Sequence, residues 1–204
     1  ENAILRIRKI QNATNAGIPV LLSGPTGTGK TLSATIALKN PEIFSCSSET
    51  TVDQLIGRMA LDSETNNGIL KFEPGPYTNA FKKGKSLIID EINLAQIEVL
   101  QCIEASLDSH FLTIADSENG TQRIPMHPNF KLVATQNPVS EGYSHSRNRL
   151  SDKFMSKFSQ VVFGSFDENE LRYISYRLIS NLISSNDIEK LINFHIVCSS
   201  KFGT

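Results

Sequence analysis

Residues 24–31 read Gly24-Pro25-Thr26-Gly27-Thr28-Gly29-Lys30-Thr31, the G-x-x-x-x-G-K-T spacing of a loop that wraps a nucleotide's phosphates. Three glycines let the backbone turn back so that several N–H groups point at one anion, a conformation that a Cβ obstructs. Within that spacing, Lys30 is placed to reach the β- and γ-phosphates and the Thr31 hydroxyl to ligate Mg²⁺. The run Ile18-Pro19-Val20-Leu21-Leu22 before it predicts a buried strand, and 31–39 (TLSATIALK) predicts a helix whose N-terminus faces the phosphates. A glycine-rich turn can match the spacing by accident. The strand, loop and helix in the required order favour a nucleotide site spanning all eight residues.

The second informative stretch is Ser86-Leu87-Ile88-Ile89-Asp90-Glu91, a short apolar run that predicts a strand buried in a parallel sheet and ending in two carboxylates. By itself such a pair is also the composition of an acidic helix cap. Placed sixty residues after Lys30, it fits a division of labour in which Asp90 holds Mg²⁺ and Glu91 orients or deprotonates the attacking water. A further core strand is expected over 130–135 (FKLVAT), followed by Gln136-Asn137-Pro138. Asn137 at its exit is in position to bond the γ-phosphate or the lytic water, although an asparagine before proline is also an ordinary turn residue.

Around these anchors the pattern is that of an α/β chain. Helices are expected over 3–12, 51–59 (with Ser48 or Thr50 as cap), 77–83, 94–107 and 150–158, and strands over 42–47 and 160–164. Residues 62–76 read as a polar loop with a short extended piece. Segments 111–115 and 121–126 read as a β-hairpin with Gly120 at its turn. From Asp167 the strands stop and two helical segments follow, to about 183 and over 187–199, so a boundary is expected near Ser165. That divides the chain into an α/β nucleotide-binding core, 1–165, and the start of a helical lid, 166–204, cut short at Thr204.

Composition narrows the function classes. Of the 204 residues 39% are hydrophobic and 20% charged, with a formal net charge of −1, which gives no electrostatic reason to expect nucleic acid or an anionic membrane as partner. No apolar run reaches the length of a membrane span. Cys46, Cys102 and Cys198 are an odd number, widely spaced and without a C-x-x-C pair, the pattern of buried thiols in a reducing compartment.

Taken in order, GPTGTGKT, LIIDEIN and VATQNP resemble the Walker A, Walker B and sensor 1 elements of the AAA+ ATPases, a P-loop NTPase fold with a three-layer αβα core around a central parallel sheet. The stretch FEPGPYTNAFKKGKSLIIDEINLAQIEVLQCIEASLD followed by HPNFKLVATQNP is similar to the AAA modules of midasin and its dynein-related kin. The resemblance covers 19–163. It implies that residues around 62–72 form a helix-2 insert and 111–126 a pre-sensor-1 hairpin. It also implies that Arg147, and Lys157 where the family carries its last arginine, act on a neighbouring module's nucleotide.

Lysine keeps the charge there but loses arginine's planar fork. The family further implies Mg²⁺ and ATP as ligands, neighbouring AAA+ modules in a ring, and a protein or pre-ribosomal substrate. It implies a nuclear location for a midasin-like parent and a cytoplasmic one otherwise. Two functions are consistent with these residues: an ATP-hydrolysing module, and a module that holds nucleotide for structural reasons and turns over little.

Overall fold

The computed structural model describes residues 2–61, 70–116, 120–137, 149–164 and 166–202. Five short strands form its central sheet: β1 (Val20–Ser23), β2 (Glu42–Ser45), β5 (Ser86–Asp90), β8 (Lys131–Gln136) and β9 (Ser159–Val162). Their order is β2-β5-β8-β1-β9, and every pairing is parallel. Parallel strands are covered on both faces, which is why β1, β5 and β8 are continuous apolar runs rather than alternating ones. Leu21, Leu87, Ile89, Leu132 and Ala134 share one buried cluster with Leu55, Tyr77, Phe81, Val99 and Ile103. Their alternates Val20, Leu22, Ile88 and Val133 are equally buried and project from the opposite face.

Helices supply the two outer layers. On one side of the core stand α3 (Val52–Leu55), α4 (Pro76–Lys83) and α5 (Ile97–Ser109), whose apolar residues enter the shared cluster. The other face is left to α1 (Asn2–Asn15) and α2 (Lys30–Leu38), which pack on each other and both contact the sheet. Tyr77, Phe81 and Phe130 make a triangle of rings with centroids 5.2–5.7 Å apart, anchoring α4 against the entry to β8. No helix among the described residues is long and apolar enough to cross a membrane.

The sheet, the hairpin and most of the helices agree with expectation, with the hairpin formed by β6 (Phe111–Asp116) and β7 (Gly120–Pro125). Three details differ. The helix expected over 51–59 ends at Leu55, capped from Thr51 rather than Ser48 or Thr50, and the chain continues as β3 (Gly57–Leu61). β3 pairs antiparallel with β4 (Leu70–Pro74), so part of the stretch read as helix, with part of the expected polar loop, makes a second hairpin. Its residues 62–69 lie outside the described ones. Second, the helix expected from 94 is a 3-10 turn, Ile92–Leu94, then a break at Ala95 and α5. Third, the helix expected over 150–158 is the short α6 (Asp152–Met155).

Gly57 explains the first difference. Its φ is +130°, and a Cβ there would lie 2.4 Å from the Glu73 carbonyl oxygen and 2.8 Å from the Gly75 nitrogen. Only glycine lets the chain leave α3 and enter β3 while β4 passes this close. Gly57→Ala is therefore expected to lower stability by about 1–3 kcal/mol in urea unfolding. Gly164→Ala, whose Cβ would meet nothing within 4 Å, serves as the comparison; equal midpoints for the two variants would contradict this account.

The chain divides into two compact units, one of Glu1–Gly24 with Gly29–Val162 and one of Pro25–Thr28 with Phe163–Thr204. In the second, α7 (Glu168–Ile179) and α8 (Ser185–Phe202) pack together. Asp167 caps α7 by accepting from Glu170 N–H at 2.7 Å, while Glu170 accepts from Asp167 N–H at 3.3 Å, the reciprocal arrangement of a capping box. Arg172 bonds Glu168 at 2.6 Å and also Glu189, and the Tyr176 hydroxyl donates to Glu189 at 3.0 Å. These bonds join the two helices through one carboxylate.

Candidate nucleotide site

In a parallel sheet the strands' carboxyl ends come out together, and that edge is where α/β proteins place ligands. Here β1 and β8 are in register to Ser23↔Gln136 and β5 and β8 to Ile89↔Ala134. Gly24, the Asp90-Glu91 pair and Asn137 therefore leave the sheet side by side. The Gln136 side-chain amide donates to Ser23 Oγ at 2.7 Å, carrying the β1–β8 pairing to the rim.

Lys30 opens α2 directly after Gly29, whose φ is +80°. Its side chain is only 7% exposed, and Nζ donates to the Gly24 carbonyl at 2.7 Å and to Asn137 Oδ1 at 2.8 Å. Thr31 Oγ1 donates to Asp90 Oδ1 at 2.8 Å. Gly27 and Gly29 are both left-handed, φ +81° and +80°, and a Cβ on either would meet nothing within 4 Å. Conformation, not space, calls for glycine at these positions, and successive N–H groups in such a turn form an anion-binding concavity. Within Pro25–Thr28 itself, the Thr28 hydroxyl donates to the Pro25 carbonyl at 2.9 Å.

At the exit of β5 the backbone is strained. Glu91 has φ +54°, a left-handed conformation that costs a non-glycine residue on the order of 1–3 kcal/mol and persists only where neighbours over-determine it. Those neighbours are on β8. Thr135 Oγ1 accepts from the Glu91 N–H at 3.0 Å and donates to Asp90 Oδ1 at 2.6 Å, and Asn137 Nδ2 donates to Glu91 Oε1 at 2.7 Å. Asn93 Nδ2 in turn donates to the Asn137 carbonyl at 3.1 Å. Asn93 is 1% exposed, and its Oδ1 is the one buried side-chain polar atom without a partner among the described residues. An unsatisfied buried acceptor costs about 1–3 kcal/mol.

The donor set suits the ligands that the sequence implies. The Thr31 hydroxyl and the Asp90 carboxylate are hard oxygen donors within 2.8 Å of each other, the kind Mg²⁺ takes while keeping waters and phosphate oxygens in its remaining positions. The Lys30 ammonium joins the same group through its bond to Asn137.

Residues 19–158 match the family described as AAA domain (dynein-related subfamily). The chain belongs to that family. It is 31% identical over 192 residues to midasin of Giardia intestinalis, an alignment covering 90% of this chain and 4% of midasin, so it spans a small fraction of that relative's length. Among solved structures, a Cytophaga hutchinsonii protein superposes with a TM-score of 0.61 at 21% identity, covering 94% of this chain and 61% of that one. NtrX from Brucella abortus, solved in complex with ADP, superposes with a TM-score of 0.60 at 16% identity, covering 89% of this chain and 40% of that one. These likenesses establish the AAA+ P-loop fold.

Of the residues singled out from sequence, the AAA domain brings Lys30, Thr31, Asp90, Glu91 and Asn137 into one hydrogen-bonded group. Lys157 is not in it. It stands just ahead of β9, at the strands' amino ends, in a cavity of about 90 Å³ lined also by Ile18, Pro19 and Lys131, and it pairs with Asp108 at 2.5 Å. Arg147 lies outside the described residues.

Sequence reading missed Thr135 and gave Asn93 no role. The available signal for Thr135 was a hydroxyl in an otherwise apolar core strand; it is 1% exposed, and a buried hydroxyl needs a partner. For Asn93 it was an amide between the apolar Ile92 and Leu94.

The buried Cys46 adjoins the group, since its N–H donates to the Asp90 carbonyl at 2.8 Å. Burial pushes its thiol up to about 12, and the charges of Asp90 and Glu91 add to the rise. Only the thiolate is nucleophilic, so at pH 8 iodoacetamide is expected to alkylate Cys46 last of the three cysteines and the half-buried Cys198 first. Peptide mass mapping over a time course reads the order; equal rates for Cys46 and Cys198 would contradict it.

Proposed function

We propose that this AAA domain binds Mg–ATP and hydrolyses its terminal phosphoanhydride, as one module of a larger, midasin-like protein that converts turnover into movement and remodels a protein or pre-ribosomal assembly. The observation that carries this is the continuous chain of contacts Lys30–Asn137–Glu91, with bonds of 2.8 and 2.7 Å, beside the Thr31–Asp90 pair. It sets a cation, an amide and a carboxylate at one sheet edge in the order that γ-phosphate, sensor and water require.

In this reading the loop Gly24, Pro25, Thr26, Gly27, Thr28 and Gly29 wraps the phosphates, and Lys30 bonds the β- and γ-phosphates. The N–H groups of Thr26, Gly27, Thr28 and Gly29 hold the phosphate oxygens, while Gly24 and Pro25, which has no N–H, shape the turn. Thr31 and Asp90 would hold Mg²⁺, which when bound neutralises charge on the phosphate oxygens. Glu91 acts as general base: its carboxylate takes a proton from a water as that water's oxygen attacks the γ-phosphorus in line with the departing ADP oxygen. Asn137, already bonded to both Glu91 and Lys30, reports the presence of the γ-phosphate to the base. Arg147 and Lys157 belong to a neighbouring module's site in a ring, and a midasin-like parent acts in the nucleus.

A second reading has its own support. Lys157 is paired with Asp108, an ion pair that competes with any role of its charge in a neighbour's site. A module so arranged would hold nucleotide and stabilise a ring while turning over little. Phosphate release from ATP by the wild-type chain, absent in Glu91→Gln with nucleotide still bound, supports the enzyme. Binding without release supports the structural module.

A further inference from the structure

We infer that Asn93 is a positioning residue for the reaction: by donating its amide to the main-chain carbonyl of Asn137 it sets where the Asn137 side chain meets Glu91 and Lys30. The inference rests on the ATPase reading for its kinetic consequence but not for its structural one. Backbone pairing between β5 and β8 ends at Ile89↔Ala134. Beyond that pair the strands are joined through side chains. Thr135 holds the β5 side, gripping Asp90 and the Glu91 N–H. Asn93 holds the β8 side, reaching from the 3-10 turn after β5 back to the last described residue of the β8 exit.

What it grips there matters. Asn137 precedes Pro138, so its backbone is confined to the extended region, and the direction of its carbonyl is set by ψ alone. A donor on that carbonyl therefore fixes ψ and, with it, the frame from which the side chain extends. Both ends of that side chain are engaged, Oδ1 by Lys30 and Nδ2 by Glu91. A small rotation of the residue would break one bond or the other.

The amide also brings no net gain in stability over an apolar side chain. Asn93 is 1% exposed and its Oδ1 has no partner among the described residues, whereas leucine would fill a similar volume with no polar atom of its own to satisfy, leaving the Asn137 carbonyl as the unpaired group instead. A residue that buries an unsatisfied acceptor in order to present one donor is explained by what the donor holds.

The test uses the 204-residue chain with Asn93→Leu and, should leucine disturb packing, Asn93→Ala. Thermal unfolding, the NMR signals of the Asn137 side-chain amide without nucleotide, and steady-state kinetics are measured on each. Asn93→Leu is expected to melt close to wild type, because one unsatisfied carbonyl replaces another. Its Asn137 amide protons shift and exchange faster by about tenfold or more, and kcat falls by about tenfold or more with KM for ATP little changed. An unchanged Asn137 amide in both variants overturns the inference whatever the turnover. So does a fall in kcat no larger than the loss of folded protein. If wild type releases no phosphate yet the amide signals move as expected, the positioning stands and the ATPase reading fails. If wild type is active and the variants match it, the reverse holds.

Discussion

Glu91→Gln is expected to leave nucleotide bound and to end its turnover. Glutamine has the length and shape of glutamate, and its Oε1 still accepts the bond that Asn137 Nδ2 donates to Glu91 Oε1 at 2.7 Å. The left-handed backbone at Glu91 is held by Thr135 through the main-chain N–H, which the substitution does not touch. What disappears is the proton-accepting carboxylate. General-base catalysis contributes about 10²–10⁴-fold, so kcat is expected to fall at least a hundredfold. Because the lost interaction belongs to the transition state rather than to bound ATP, affinity is expected to change little. Phosphate release and titration with a fluorescent ATP analogue give the two numbers. Turnover near wild type in the variant would remove Glu91 from the mechanism, and a loss of affinity would mean that the carboxylate was organising the pocket instead.

Lys30→Ala is expected to have the opposite signature, loss of binding itself. The ammonium is nearly buried, donating to the Gly24 carbonyl and to Asn137 Oδ1. A charged hydrogen bond contributes about 1.5–3 kcal/mol, so bonds to two phosphates amount to roughly 10²–10⁴ in affinity. Without nucleotide the variant should melt close to wild type, because the bonds lost are offset by no longer desolvating an ammonium. With Mg–ATP present, the wild-type midpoint rises by mass action, and the variant's does not. A variant that keeps the nucleotide-dependent rise would remove Lys30 from the phosphate site.

The two substitutions separate the parts that sequence reading recognised. Gly24 to Thr31 is a local motif: its glycines, lysine and threonine lie within eight consecutive residues, and chain connectivity alone places Lys30 and Thr31 next to the loop. The strand Ser86–Asp90 was equally legible, because the apolar run Leu87-Ile88-Ile89 between a glycine-ended helix and two carboxylates has few other places to go. Boundaries were weaker where one glycine decided them. The helical pattern continues through Gly57, but its φ of +130° ends α3 early, since close passage of the β4 backbone outweighs helical periodicity. Lys157 was read from its position in the family pattern. Its pairing with Asp108 depends on how the end of α5 packs against the approach to β9, for which the sequence carries no local signal.

The amino-acid sequence by itself determined the AAA+ α/β fold and that Lys30, Thr31, Asp90, Glu91 and Asn137 gather at the sheet's rim. The apolar strand runs, the phosphate loop and the carboxylate pair are short-range features, and strands of one parallel sheet must end on the same side. Tertiary structure alone decided how those residues bond. Glu91 and Asn137 are 46 residues apart, Lys30 and Asn137 are 107 apart, and which atoms meet depends on the register Ile89↔Ala134 and on how the chain departs from it. Register is a property of the whole packed sheet, since sliding one strand by a residue turns all its side chains to the other face. For that reason Thr135 and Asn93, which hold the rim together once the ladder ends, became identifiable only when β5 and β8 stood side by side.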